Sequence, residues 1–304
     1  MSNSPIRIGT RDSKLAMWQA HTVARLLRVQ NIEVEIIPVK SQGDIDTTRP
    51  LHELGTTGVF TKVLDDALFN NEIDIAVHSL KDYPTQPPAG IVLSAHLERE
   101  DPMDLFIPKG DTSFLNDRES VSTIGTGSIR RVAQWLHHFP NHTTENLRGN
   151  VQTRLTKLED SNWSGIIMAS AGLRRMELVP ENAVALDWMI PAPAQGVVGI
   201  THREGDVVAL DACKLLDVEL SRITSTVERQ FLRTLEGGCS APIGALARVS
   251  GQKIFFVGTL HSLDGKSEVK VEDSANLEDW PTLGEKFALR AKQNGGDAIL
   301  STLK

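Results

Sequence analysis

Between Gly125 and Arg175 the chain carries seven basic residues, Arg130, Arg131, Arg148, Arg154, Lys157, Arg174 and Arg175, against three acidic ones, Glu145, Glu159 and Asp160. The whole protein has a net charge of −7, so this excess of four positive charges is a local exception. Six of the seven are arginines. Arginine's planar fork of donors matches the oxygens of carboxylates and phosphates, and its charge is not lost near neutral pH. Together these residues could hold a ligand with several anionic groups; singly, each could equally be a solvated surface residue.

Three other places carry residue types suited to chemistry. Gly125-Thr126-Gly127-Ser128 reads as a turn that opens a helix, with Arg130 and Arg131 in its first turn. Free backbone N–H groups at a helix start, small residues and two arginines make an anion site. Lys81-Asp82 follows the apolar run Ile73 to Val77 and His78-Ser79-Leu80. Asp82 could be a proton-transfer group or a turn residue paired with Lys81. Of the two cysteines, Cys213 lies in an amphipathic run and reads as core. Cys239 follows Gly237-Gly238 and precedes Pro242, on a loop, where chemistry is often sited. A lone cysteine is also commonly a small buried apolar residue, so both readings of Cys239 stay open. The nine histidines are scattered, and His137-His138 and His142 lack partners at metal-ligand spacing. No Ser-His-Asp arrangement is supported.

These positions fall at the edges of predicted elements. Ile6 to Gly9 reads as a strand, followed by a turn in which Asp12 or Ser13 caps a helix with Ala16, Ala20, Val23 and Leu27 on its apolar face. Glu33 to Val39 and Ile73 to Val77 are further strands, with a helix from about Phe60 to Phe69 between them. After a loop with Pro102 and Pro108 the pattern repeats. Val121 to Gly125 is a strand, Asn150 caps a helix bearing Arg154, and Gly165 to Ala169 is a strand ending just before Arg174-Arg175. Alternation of strand and helix implies a mainly parallel sheet, whose ligands bind beyond the carboxyl ends of the strands.

A proline-rich link, Pro191 to Gly196, leaves this second lobe. Val197 to Ile200 and the helix-like Val207 to Leu216 return to the first. A helix from about Ser221 to Leu235 then opens a small α+β part with strands at Ala245 to Val249, Lys253 to Leu260 and Glu268 to Val271, and a helix near Leu283 to Lys292. The expected fold class is α/β: two hinged, periplasmic-binding-protein-like α/β domains plus a small α+β C-terminal domain. The expected boundaries are 1–97 with 197–217, 98–196, and 218–304.

Composition narrows the function classes. The 304 residues are 40% apolar and 23% charged, which is globular and too long for one ordinary core. No run approaches the roughly 20 apolar residues of a membrane helix. The start, Met1-Ser2-Asn3-Ser4-Pro5, lacks the basic and apolar stretches of a secretion signal, and two cysteines make no disulfide framework, so a cytoplasmic protein is expected. Net acidity and the lack of a helix-turn-helix with a basic recognition helix argue against nucleic acid as a partner. No long exposed apolar run demands a second copy, and a monomer is expected. A non-catalytic binding protein with the same lobes remains a competing class; it would form no covalent adduct.

Several segments resemble the porphobilinogen deaminase (hydroxymethylbilane synthase) family, in order along the whole chain. They are Gly9-Thr10-Arg11-Asp12-Ser13-Lys14-Leu15-Ala16, Ala76-Val77-His78-Ser79-Leu80-Lys81-Asp82, Gly125-Thr126-Gly127-Ser128-Ile129-Arg130-Arg131, Leu147-Arg148-Gly149-Asn150-Val151-Gln152-Thr153-Arg154-Leu155, Pro193-Ala194-Gln195-Gly196 and Leu235-Glu236-Gly237-Gly238-Cys239. The resemblance implies three domains and a covalent dipyrromethane cofactor. It also implies four successive additions of porphobilinogen with loss of ammonia, then hydrolytic release of hydroxymethylbilane. Each unit bears an acetate and a propionate, which an arginine-rich site suits.

On the same resemblance, Cys239 would carry the cofactor through a thioether, with Lys81, Asp82, Ser128, Arg130 and Arg131 also at the cofactor. Arg11, Ser13, Phe60, Thr126, Arg148, Arg154, Arg175 and Gln195 would bind substrate. Asp82 would be catalytic, its carboxylate stabilising the electron-poor azafulvene left when ammonia departs. The sequence departs from the family pattern at Gly55-Thr56-Thr57-Gly58-Val59-Phe60, with His52 upstream, where the family commonly has basic residues. Tyr83 stands where a small apolar residue is usual.

Overall fold

The structure, a computed structural model, describes residues 4–39, 61–235 and 241–303. They form two compact units. One comprises residues 4–39, 61–100 and 196–222, the other residues 101–195 and 223–303.

The first unit begins with β1 (Ile6–Arg11), α1 (Lys14–Val29) and β2 (Val34–Val39). The start of α1 is fixed by Ser13, whose Oγ accepts the Ala16 N–H at 3.3 Å, as a helix N-cap should. Ala20, Val23, Ala24 and Leu27 recur at helical spacing and bury that face against Ile6, Ile8, Ile75 and Val77. Then follow α2 (Lys62–Phe69), β3 (Ile75–Ser79) and β4 (Ile91–His96). The sheet runs β2-β1-β3, then β10 (Val198–Arg203), then β4. Strand β1 is parallel to β2 and β3, whereas β10 is antiparallel to both β3 and β4. The second face of the sheet is closed by Leu64, Ala67 and Leu68 of α2 with Ile73 and Ala76.

The second unit holds two sheets. The first uses β5 (Asp104–Pro108), β6 (Thr123–Gly125), β7 (Thr143–Glu145), β8 (Gly165–Ala169) and β9 (Val184–Ala185) in the order β7-β6-β8-β5-β9. Its helices are α3 (Ile129–His138), α4 (Val151–Asp160) and α5 (Ser170–Arg175). Strand β6 is parallel to β7 and β8, and β5 runs antiparallel to β8 and β9. Both α/β sheets are therefore mixed rather than mainly parallel, because each receives one returning strand. Leu105, Phe106 and Ile107 of β5 are buried, so the stretch between Pro102 and Pro108 is a strand and not a loop.

Helix α6 (Val207–Lys214) belongs to the first unit, and α7 (Glu219–Thr234) leads out of it. The remaining sheet is an antiparallel meander of β11 (Ile243–Ser250), β12 (Lys253–His261) and β13 (Glu268–Asn276). It packs on α7 and α8 (Trp280–Ala291) through Val227, Phe231, Phe256, Leu283 and Phe287. The protein is thus a mixed α/β fold with a small three-stranded C-terminal part. Among the described residues no helix is long and apolar enough to cross a membrane.

Candidate functional site

In the first unit, parallel pairing sets the site. Registering Ile8 with Ile75 and Gly9 with Ala76 brings the C-terminal ends of β1 and β3 side by side. Arg11 and Ser13 leave the first end, and a single 3₁₀ turn, Leu80–Asp82, leaves the second. Thr10 Oγ1 donates to the Ala16 carbonyl at 3.0 Å, and Gln19 Nε2 donates to Ser79 Oγ at 2.9 Å, which ties α1 to the end of β3. Between them is a cavity of about 100 Å³ lined in part by Arg11, Ser13, Gln19, His78, Ser79 and Asp82. Asp82 is exposed and Lys81 half-buried. A charged group there could bind an anion or accept a proton from a polar ligand.

Tyr83 packs behind this turn. It is 2% exposed, its ring centroid lies 4.5 Å from that of His78, and His78 Nε2 is 3.0 Å from Thr201 Oγ1. Asp65 on α2 is likewise buried. Its carboxyl is pushed up to about 7, first by burial and then by neighbouring Asp66, with the Tyr83 hydroxyl acting the other way.

In the second unit, glycine allows two segments to meet. A Cβ on Gly127 would come within 2.5 Å of the Leu147 carbonyl oxygen, so only glycine lets the turn after β6 lie against the Arg148 loop. Thr126 N–H donates to the Glu145 carbonyl at 2.9 Å in the same approach. Ser128 stands at the N-cap position of α3, and Asn150 caps α4 by accepting the Thr153 N–H at 2.9 Å. Arg154 Nε donates to the Gly149 carbonyl at 2.8 Å. Thr126, Arg130, Arg131, Arg148 and Arg175 are buried, whereas Arg174 is exposed, 3.4 Å from Asp101. The charge excess is therefore mainly an interior feature of this unit, and consecutive arginines at the end of α5 point to different environments.

The reason Arg130 and Arg131 can be buried is Asp104, the first residue of β5, which is fully buried. Its Oδ1 accepts from Arg131 Nη2 at 2.8 Å and from Gln195 Nε2 at 2.9 Å, and its Oδ2 lies 2.8 Å from Arg130 Nη2. Burial alone would raise its carboxyl, but the charges of Arg130 and Arg131 and the hydrogen bonds from Arg131 and Gln195 hold it well below the usual carboxylate range. Arg130 Nη1 donates to the Ile190 carbonyl at 2.8 Å, and Arg131 Nη1 to the Ile167 carbonyl at 3.0 Å. The Nε–H of each is buried with no acceptor among the described residues. A buried charged donor in that state calls for an acceptor beyond the described residues.

Sequence reasoning missed Asp104 because its strand lies between two prolines. The signal was an aspartate opening the apolar run Leu105-Phe106-Ile107. Gln195, which the resemblance places at the substrate, is 1% exposed, and its amide donates to Asp104 and to the Pro102 carbonyl at 2.6 Å. Cys213 is core as expected, its thiol pushed up to about 12 by burial and then by Asp206 and Asp217. Cys239, Phe60 and the loop from Gly55 lie outside the described residues. No group of three or more His, Cys, Asp or Glu residues suited to a metal occurs among the described residues.

Fold and side chains together define a mixed α/β protein with a buried cluster of arginines around one aspartate. Residues 6–211 match the family model for the porphobilinogen deaminase dipyrromethane cofactor binding domain, and residues 222–293 match that for the porphobilinogen deaminase C-terminal domain. The chain belongs to the porphobilinogen deaminase family. It is 38% identical to the porphobilinogen deaminase of Syntrophotalea carbinolica over 100% of this chain and 97% of that one. It is 41% identical to that of Francisella tularensis subsp. novicida over 98% and 99%. Among solved structures it is similar to immunogenic lipoprotein A of Vibrio vulnificus, at 12% identity and TM-score 0.43, covering 74% of this chain and 99% of that one.

The residues of the second unit fit a carboxylate-rich cofactor. The orphaned Nε–H groups of Arg130 and Arg131 are charged donors in need of acceptors, and the dipyrromethane named by the family model is acidic through its acetate and propionate groups.

Proposed function

We propose that the chain is a transferase that joins four porphobilinogen molecules, losing ammonia at each addition, and releases linear hydroxymethylbilane by hydrolysis. The observation that carries this reading is the buried pair Arg130 and Arg131, each with a charged donor left over, in a chain matched throughout by one family. When bound through Cys239, the dipyrromethane supplies the free pyrrole position at which the first substrate adds. Ser128, Arg130 and Arg131 would hold its carboxylates. Thr126, Arg148, Arg154 and Arg175 would hold substrate carboxylates in the same unit, as would Arg11 and Ser13 in the other, while Lys81 and Asp82 would be at the cofactor. The division into residues 1–97 with 197–217, 98–196 and 218–304 is our proposal for the functional segments.

Asp82 would accept a hydrogen bond from the pyrrole N–H of the reacting unit. A carboxylate there stabilises positive charge on the ring as ammonia leaves and can move a proton at the departing amine. Its exposed position beside the cavity leaves it accessible to a ligand.

The test is ammonia and tetrapyrrole release from porphobilinogen by wild-type protein and by Asp82→Asn. The expected result is unchanged folding and a turnover lower by roughly 10²–10⁴-fold, the usual worth of a positioned proton-transfer group. Near-normal turnover in Asp82→Asn would remove Asp82 from the mechanism.

A further inference from the structure

The Arg130–Asp104–Arg131 arrangement does more than neutralise charge. A guanidinium can present a carboxylate with two different edges, one made of its two Nη groups and one of Nε with an Nη. In both arginines Nη1 donates to a backbone carbonyl; Nη2 of Arg131 donates to Asp104 Oδ1, and Nη2 of Arg130 lies 2.8 Å from Asp104 Oδ2 as an ion pair. Neither pairing uses Nε, and both Nε–H groups lack an acceptor among the described residues. Had Asp104 accepted from Nε, the side edge would have been consumed instead.

Asp104 is itself fixed. The Gln195 amide holds its Oδ1 at 2.9 Å, and the residue before Gln195 is held in turn by Glu228 of α7. Glu228 Oε2 accepts the Ala194 N–H at 2.6 Å, and Ala194 adopts the left-handed region at φ +61°, which a non-glycine residue keeps only when its surroundings impose it. Glu228 Oε1 accepts the Ala247 N–H at 2.8 Å. A continuous set of buried contacts thus runs from α7 and β11 through the link to the arginine pair.

We infer that Asp104 is a positioning residue for carboxylate binding: it orients Arg130 and Arg131 so that their Nε edges receive the carboxylates of the dipyrromethane, and Gln195 acts through Asp104. This inference rests on the function proposed above. It assigns Gln195 a role at one remove from ligand and gives Asp104 no contact with the reacting atoms.

Two variants test it. Asp104→Asn removes the carboxylate. Asp104→Asn/Gln195→Glu keeps the buried charge balance while moving the carboxylate to the other side of the same hydrogen bond. Each is incubated as apo-protein with porphobilinogen and read by intact mass for the two-pyrrole adduct, by thermal unfolding before and after loading, and by the split between KM and kcat. The expected result is that the paired variant unfolds near the wild-type temperature. Adduct occupancy nonetheless falls and KM rises by about tenfold or more in both, with a smaller change in kcat, as expected for misplaced binding groups. The gain in unfolding temperature on loading shrinks as well. Full occupancy and unchanged KM in both variants, beside a loaded wild type, overturn the role of Asp104 alone. Failure of both variants to fold also counts against it, since Asp104 would then be only a structural counter-ion. A wild type that takes up no pyrrole overturns the proposed function and this inference with it.

Discussion

Glu228, fully buried in α7, accepts the backbone N–H of Ala194 at 2.6 Å, and so fixes the link that carries Gln195. Its other oxygen accepts the Ala247 N–H within β11, the first strand of the C-terminal meander. One carboxylate therefore satisfies donors from two stretches far apart in sequence.

Removing that carboxylate should be costly. Glu228→Ala leaves two buried N–H groups without acceptors, each worth about 1–3 kcal/mol. A loss of about 3 kcal/mol in urea unfolding is expected, with a smaller loss in Glu228→Gln, which keeps one acceptor. Wild-type stability in Glu228→Ala would contradict this account of the link.

Gly127 is a second structural commitment. Alanine there would bring its Cβ within 2.5 Å of the Leu147 carbonyl oxygen and 3.5 Å of Asn146 Oδ1. The turn bearing Ser128 and the loop bearing Arg148 must then separate, at a cost of about 1–3 kcal/mol in stability. Weaker porphobilinogen binding should accompany it, seen as a raised KM. A KM equal to wild type would show that the two segments bind no common ligand.

The Asp65 carboxyl, pushed up to about 7, gives a pH dependence of definite sign. The folded protein holds that proton more tightly than the unfolded chain, whose aspartates titrate near 3.9. Its stabilising share is present below about pH 4 and is lost as pH rises through about 7. Asp65→Asn should therefore match wild type near pH 4 and exceed it by about 1–2 kcal/mol at pH 8, after allowance for partial screening of the full shift. Denaturant titrations at both pH values check this; parallel curves for the two proteins would reject it.

Much of the local structure was legible because its causes are local. Ser13 and Asn150 are caps that can be recognised from the residues following them, and the apolar spacing of Ala16, Ala20, Val23 and Leu27 predicts the buried face of α1. The placement of Arg130 and Arg131 at the opening of a helix followed from the glycine turn before them. What sequence could not give was which charges go inside. Arg174 and Arg175 are adjacent, yet the first is exposed and the second buried, because the end of α5 turns them to opposite sides. Asp104 becomes important only when β5 pairs with β8 and sets it beneath α3, a relation with no short-range signature. Glu228 looks like one more charge on a polar helix until the link folds onto it. The departure at Tyr83 is absorbed by packing on His78 beside Asp65.

The central claim, a carboxylate-rich primer held by arginines and bonded to Cys239, is tested most directly by the intact mass of the protein after incubation with porphobilinogen. Cys213 is buried with its thiol pushed up to about 12, so it is a poor competitor for attachment. The account predicts added mass equal to two linked pyrroles on the wild type and none on Cys239→Ser, with the adduct unaffected in Cys213→Ala. A wild type that gains no mass, or an adduct that persists in Cys239→Ser, would contradict it.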